Sequence, residues 1–419
     1  MFTIFLYLAC ADRDRINPID PQNPNTVGRP TGVKVISIQD TVFLSWNLIV
    51  LKDLSGYKIY RKTSFESEFL PLTLVPPNVN SFKDIDIVFN IEYSYQISAV
   101  GPTYESLRSD IFKITPGPTF NWVADNLSRQ LVKLTHDAQH EILRSSGFQN
   151  LIDIETNPNN GDVWVIDRVT PFLGELIRIS PEGQIKRPIL QFTTPVDVAL
   201  EINTAALWVA DSTDNIVVKI DSAGTTLFTI DDFSNPLAVS IDQRTGDCWV
   251  ADSQLERISK IKADGTKILT SSINFIAVQS VTVNSSTGDV WVADSSRIVK
   301  LDETGNLSLG VSERFNNAYK IEVNENTGEV WILNLIYELN QSTISKFSAT
   351  GQKIFEIDGF TIPEDLSINL FDNSSIVADT QNNRIVRISD DGKLSGVFKQ
   401  IGFPSAVCVQ NQLVESNSN

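Results

Sequence analysis

Four times the chain spells Trp-Val-Ala-Asp, beginning at Trp122, Trp208, Trp249 and Trp291. Variants begin at Trp164 (WVID), Trp331 (WILN) and Ile376 (IVAD), so the seven starts lie 40 to 45 residues apart. A fixed period of that length calls for similar supersecondary units packed side by side, each burying its neighbour's apolar face. The same parts return in every period. An alternating strand comes first, as in LAVSIDQ, SVTVNSS and YKIEVNE. A turn follows, with Gly246, Gly288 or Gly328 where a hairpin needs a positive φ. The WVAD strand is next, then a strand reading Ile-x-Lys/Arg-Ile/Leu, as in RIVKLD, NRIVRIS and ELIRIS. A glycine turn closes it at Gly183, Gly224, Gly265, Gly305, Gly351 or Gly392; the first period uses His136 to Gln139 instead. A less regular fourth strand leads to the next unit.

Four strands in about 42 residues, with no helical pattern, describe one blade of a β-propeller. The period is too short for a kelch blade, and the Gly-His and Trp-Asp dipeptides of WD repeats are absent. The first period starts directly at its WVAD strand, while the chain ends its patterned region on FPSAVCVQN. That last segment matches the strand that precedes WVAD elsewhere, so residues 404–410 are expected to complete the blade begun by residues 120–140. The expected fold over 117–411 is a seven-bladed β-propeller closed by its C-terminal strand, followed by a polar tail at 412–419. Closure removes the free sheet edges that would template aggregation.

Alternation along a strand puts Trp and Ala of the motif on one face and Val on the other. Both faces of a blade are covered by neighbours, so all three can be apolar. The closing Asp is expected to accept backbone N–H groups from the turn that follows. The repeat is thus read as framework, not as seven active acids.

These repeats resemble those of NHL-type propellers and of the related streptogramin-lyase-like family. The resemblance implies the propeller fold. It leaves the activity open, since such propellers include scaffolds, receptors and a few enzymes.

Residues 28–116 carry a second pattern, with period two: GVKVISI, VFLSWNL, GYKIYRK, YSYQISAV and DIFKITP, bounded by Gly, Pro, Asn or Asp. Pro30, Trp46 after Leu-Ser, GYKIYR (Gly56 to Arg61) and YSYQISAVG (Tyr93 to Gly101) make the segment resemble a fibronectin type III domain. The whole chain is therefore expected to be all-β, a β-sandwich plus a propeller. By that resemblance Trp46 is the core tryptophan and Tyr93 the corner tyrosine, whose hydroxyl bonds nearby backbone. The domain would act as a spacer or small binding module.

Residues 1–27 open with MFTIFLYLAC and continue into ADRDRINPIDPQNPN, a Pro-, Asn- and Asp-rich tether. Leu8-Ala9-Cys10 resembles the cleavage point of a bacterial lipoprotein signal, although a basic n-region is missing. The resemblance implies lipidation at Cys10 and export to the outer membrane, periplasm or cell surface of a bacterium. No apolar run approaches the length of a membrane-spanning helix. With three cysteines there is no disulfide framework, and Cys248 and Cys408 sit in strand-like runs as small core residues.

A net charge of −17 argues against nucleic acid, whose phosphates need Lys and Arg. It also argues against docking on anionic lipid, which leaves a lipid anchor as the only membrane contact. A monomer is expected.

Candidate site residues follow from the propeller geometry. Two connections after the WVAD strand read as long: Asp167 to Glu175, with Arg168 and Phe172, and Asn334 to Thr343, with Tyr337 and Glu338. Exposed aromatics there are candidate binding surface. The starts of the inner strands add Asn150, Asp197, Lys320 and Asp365. Asp197 and Asp365 could hold a Ca²⁺ through oxygen ligands, or be solvated rim charges. The two histidines, His136 and His140, fall at the far end of a third strand, away from that face. No nucleophile elbow or serine or cysteine with a partner is visible. The sequence therefore points to an exported scaffold presenting a propeller to a protein or glycan, with no cofactor required. Beside it stand a carboxylate-based lyase or lactonase, with or without Ca²⁺, and a purely architectural envelope component.

Overall fold

The computed structural model of the protein is described over residues 16–411, apart from 272 and 338–340. Cys10 and Glu338 thus lie outside the described residues. The chain divides into two compact units, with the boundary between Gly117 and Pro118.

In the first unit a three-stranded antiparallel sheet (Lys34–Ile38, Thr41–Ser45, Ser81–Asp84) and a four-stranded one share a single core. The second sheet runs Leu70–Val75, Gly56–Thr63, Tyr93–Val100, Phe112–Ile114. Alternate residues Val35, Val42 and Leu44 meet Tyr57, Ile59, Tyr95 and Ile97 between the sheets. Trp46 is buried, with its ring centroid 5.3 Å from that of Tyr57. The Tyr93 hydroxyl accepts the Val88 backbone N–H at 2.8 Å, pinning the turn before its strand.

In the second unit the described residues form seven four-stranded antiparallel sheets. Six are built from four consecutive strands. The seventh combines Phe120–Asp125, Gln130–Leu134 and Glu141–Ser146 with Pro404–Gln410, the last strand of the described chain. In that pairing Val407 faces Val123 and Cys408 faces Trp122. The innermost strands touch in the order Leu151–Thr156, Pro195–Glu201, Pro236–Asp242, Val278–Val283, Ala318–Val323, Asp365–Ile368 and Pro404–Gln410. Pro404–Gln410 in turn touches Leu151–Thr156, so the inner strands close a ring.

The WVAD strands hold the ring together. Trp208 and Ala210 pack with Cys248 and Val250 of the next sheet. Trp249 and Ala251 pack with Val290 and Val292, and Trp291 and Ala293 with Val330 and Ile332. The series ends where Ile376 and Ala378 meet Val123 of the first sheet. Each sheet thus offers its Trp face to its neighbour's Val face, as the two-residue alternation requires. In register with each Trp stands a third-strand cation, such as Lys219 opposite Trp208 or Lys300 opposite Trp291. Their ammonium groups lie 5.0 and 5.5 Å from the indole rings.

The acid that ends the motif works differently from the expectation of a local turn cap. Asp294 Oδ1 accepts the N–H groups of Ile276 (2.8 Å) and Ala277 (2.7 Å), which precede the inner strand of the same sheet. Asp167, Asp211 and Asp252 do the same. Asn334 does so through Asn316 and Asn317. Bonds from the following turn are added only at some sites, for example Ser128 N–H to Asp125. The first sheet lacks the usual glycine, and Ala138 takes the left-handed conformation there, at φ 54°.

Candidate functional site

An inner strand is the edge of its sheet, so half of its backbone groups find no partner within that sheet. Side chains of the neighbouring inner strand supply acceptors. Asp153 Oδ2 takes the Val198 N–H at 2.9 Å, and Asp197 Oδ2 takes that of Val239 at 2.6 Å. Ser240 Oγ takes the Val283 N–H at 3.0 Å and Glu322 Oε1 that of Ile368 at 3.3 Å. Asp365 Oδ2 and Ser367 Oγ take the N–H groups of Val407 (2.9 Å) and Val409 (3.1 Å). These bonds run around the ring in one direction and tie each sheet to the next.

Inside this belt lies a cavity of about 770 Å³. The strand register arranges its wall in two layers. Asp153, Asp197, Ala238, Ser280, Lys320 and Asp365 occupy equivalent positions in one layer. Two residues further along, opposite the Trp positions, Glu155, Ser240, Thr282, Glu322, Ser367 and Cys408 form the other. Asn126, Asn150, Gln279, Tyr319, Glu364 and Phe403 also line the cavity.

The charges in this space control one another. Burial, then repulsion from Asp153, holds Asp197 and Glu155 well above the usual carboxylate range. Burial lifts Glu322 to about 8, with Lys320 opposing and Asp365 adding to the rise. Burial and the Asp365 charge lift Glu364 to about 7. Asp365 is also raised by burial, with Lys320 opposing. Burial works against the Lys320 charge, but Asp365, Asp197, Asp153 and Glu322 outweigh it and hold the ammonium well above the ordinary lysine value. Its Nζ lies 3.1 Å from Asp365 Oδ1, and the side chain keeps 31% exposure, so solvent screens part of these interactions.

Of the residues singled out in the sequence, Asn150, Asp197, Lys320 and Asp365 all line this cavity. Asp197, Lys320 and Asp365 thus share one cavity wall, while Asn150 is exposed. Arg168, Phe172 and Tyr337 do not line it. The segment around Arg168 is not a long loop. Strands Val163–Thr170 and Leu173–Ile179 extend into a hairpin in which Arg168 pairs with Gly174 and Thr170 with Leu173. Phe172 sits at its tip, 74% exposed, and Tyr337 is 58% exposed. Sequence reasoning misses Asp153, Glu155, Glu322, Glu364 and Tyr319. The signal that could find them is phase: Asp153 and Glu155 in LIDIET, and Lys320 and Glu322 in YKIEV, share one face of their strands.

Among the described residues, no group of three or more His, Cys, Asp or Glu is arranged to hold a metal ion. Asp365, one of the two acids considered for Ca²⁺, faces the Lys320 ammonium. His136 lies away from the cavity wall, at the seam between the first and last sheets. Its Nδ1 is 2.6 Å from Thr119 Oγ1 and its Nε2 3.2 Å from Asp372 Oδ2. Burial opposes the Asp372 charge, but the His136 hydrogen bond and the Arg387 charge hold that carboxyl at about 2.

A closed ring of four-stranded antiparallel sheets around a central cavity defines the class: this is a β-propeller protein. Solved structures bear out the fold. A functionally unknown protein from Desulfotomaculum acetoxidans is 13% identical, with a TM-score of 0.59, covering 70% of this chain and 99% of that one. Kuenenia stuttgartiensis hydrazine synthase is 9% identical, with a TM-score of 0.53, covering 63% of this chain and 90% of that one. A catalytically inactive virginiamycin B lyase from Staphylococcus aureus, solved with quinupristin, is 14% identical, with a TM-score of 0.48 over 60% and 84%. The first two likenesses, at 13% and 9% identity, speak to the fold alone, and nothing is drawn from the third. No protein-family model matches the chain, and a search of curated proteins finds no match.

Proposed function

We propose that this chain is an exported, lipid-anchored bacterial binding protein that engages a glycan through the mouth and interior of its central cavity. In this reading a fibronectin type III module over residues 28–116 is the spacer. A seven-bladed NHL-type propeller is the binding body, and Cys10 carries the lipid. The repeat pattern, the seven sheets of the second unit and the Tyr93 bond to Val88 support the module assignments. The observation that carries the function is the cavity, whose volume lies within the usual range for ligand sites. Asn150 and Gln279 offer donors and acceptors to hydroxyl groups, and Tyr319 and Phe403 add aromatic surface. A concave wall that mixes polar and apolar groups suits a small hydroxyl-rich ligand better than the broad surface of a protein partner.

The test is a glycan array probed with the full chain, its Tyr319→Ala variant and a Phe172→Ala/Tyr337→Ala double variant. Retention of one saccharide class, lost with Tyr319→Ala and kept by the loop variant, is expected. No retained saccharide, or loss only with the loop variant, overturns the assignment to the cavity. A carboxylate-based lyase or lactonase is the second reading, favoured by Glu364, whose carboxyl at about 7 is poised for proton transfer at neutral pH. Turnover of a bound saccharide or lactone that disappears with Glu364→Gln would establish it.

A further inference from the structure

Ordinary junctions in the ring share one packing. Phe228, Leu309 and Phe355 of the fourth strands stand opposite the cations Lys219, Lys300 and Lys346. A turn glycine of the next sheet rests on each: a Cβ on Gly265, Gly351 or Gly392 would lie 3.1, 2.9 or 3.0 Å from these side chains. The junction that closes the ring inverts this. In the last sheet Gly396 holds the equivalent place, opposite Arg387, and Ile376 stands where those sheets have Trp208, Trp291 and Trp331. A Cβ on Gly396 would overlap the Asp137 carbonyl oxygen of the first sheet. Its φ is not positive, so room for that carbonyl is what requires glycine. The turn that enters this notch is one residue longer than its counterparts: the Thr135 N–H reaches the His140 carbonyl, where the Ser180 N–H reaches that of Gln184. Buried polar groups complete the junction. Asn369 Nδ2 donates to Thr119 Oγ1 at 2.9 Å, that hydroxyl lies 2.6 Å from His136 Nδ1, and His136 Nε2 lies 3.2 Å from Asp372 Oδ2. Asp372 also pairs with Arg387.

We infer that the Thr135–His140 turn and the Gly396 notch form a keyed polar latch, and that the ring opens at this junction ahead of the others. The inference goes beyond the glycan proposal and stands without it. A large side chain at 396 excludes the turn, so the first sheet seats on the last sheet and not on one that carries Phe228, Leu309 or Phe355. The same carving removes two large apolar side chains from the closing junction, and burial of such groups is what chiefly holds neighbouring sheets together. Hydrogen-bonded polar groups take their place and contribute less net stability, because opening offers them water as a partner. Opening there is a local event that leaves the individual sheets folded.

Residue-resolved hydrogen exchange on the full chain tests this, because each junction has its own reporters. The Val407 and Val409 N–H groups bond Asp365 and Ser367 across the closing junction, and those of Val239 and Val283 bond Asp197 and Ser240 across ordinary ones. Expected in the native chain is exchange at Val407 and Val409 about tenfold or more faster than at Val239 and Val283. Asp372→Asn removes the charge that faces His136 and Arg387, and Gly396→Ala crowds the notch. Each should speed the first pair about tenfold further and leave the second pair unchanged. Equal exchange at all four amides of the native chain, or slower exchange at the closing junction, overturns the inference. So does a variant that speeds all four amides alike, or none of them. Should Gly396→Ala not fold, the native chain and Asp372→Asn decide.

Discussion

The carboxylate of Asp197 accepts the backbone N–H of Val239 at 2.6 Å, across the boundary between two adjacent inner strands. The same side chain faces the cavity, so one acid both joins two sheets and charges the wall. Asp197→Ala leaves the Val239 N–H buried without a partner and should cost about 1–3 kcal/mol. Asp197→Asn keeps an acceptor and should cost less. Denaturant titration of both variants checks the order; equal losses would mean that the bond contributes nothing beyond the side chain's charge.

The raised carboxyls give the protein a defined pH profile. A carboxyl whose folded value lies above its unfolded one binds more protons in the native state between the two values. Stability then falls as pH rises through that window. For Glu322 the window runs from 4.5 to about 8, and for Glu364 from 4.5 to about 7. Asp372 has the opposite sign: held at about 2, it stabilises above 3.8 and that contribution is lost as pH falls towards 2. The melting temperature should therefore decline from mildly acidic to mildly alkaline conditions and drop again in strong acid. Glu322→Gln should flatten the alkaline side. A melting curve that rises across the neutral range would contradict the assignment.

Trp208 is fully buried against Cys248 and Val250 of the next sheet. Trp208→Ala should cost about 3–5 kcal/mol, whereas Trp208→Phe should cost distinctly less. Intrinsic fluorescence and thermal melts of the two variants provide the check. Loss of ligand binding at unchanged stability would instead make the indole a contact residue.

The cap position carries its own internal control. Asn334 accepts the Asn316 and Asn317 N–H groups at 3.1 Å, as Asp294 accepts those of Ile276 and Ala277. Asp294 also pairs with Arg297 at 2.7 Å. Asp294→Asn should therefore forfeit only the ion pair, and Asp294→Ala should lose about 1–3 kcal/mol more. Hydrogen exchange at the Ile276 and Ala277 amides resolves the two cases: protection should persist with Asn and collapse with Ala.

The all-β repeat is readable in the sequence because each sheet meets the same packing problem. A Trp such as Trp291 packs with a β-branched residue such as Ile332 on its neighbour, as Trp208 does with Val250. What is not readable depends on contacts distant along the chain. Asp294 caps amides 17 and 18 residues upstream, which no local turn pattern reveals. The stretch from Asp167 to Glu175 reads as a loop because Pro171 and Gly174 punctuate it, yet Arg168 and Gly174 pair across a hairpin. Glu155 and Glu322 read as ordinary charges on alternating strands. Only closure of the ring turns that face inward and places them with Lys320 in one cavity.

A crystal structure of the full chain, grown with the saccharide it binds most tightly, would decide whether the ring and its interior form the binding body. A closed ring is expected, with Pro404–Gln410 paired to Phe120–Asp125. Ligand density should lie inside it, between Asp197 and Lys320. Density confined to the surface around Phe172 and Tyr337, with the cavity filled only by solvent, would refute the cavity as the binding site.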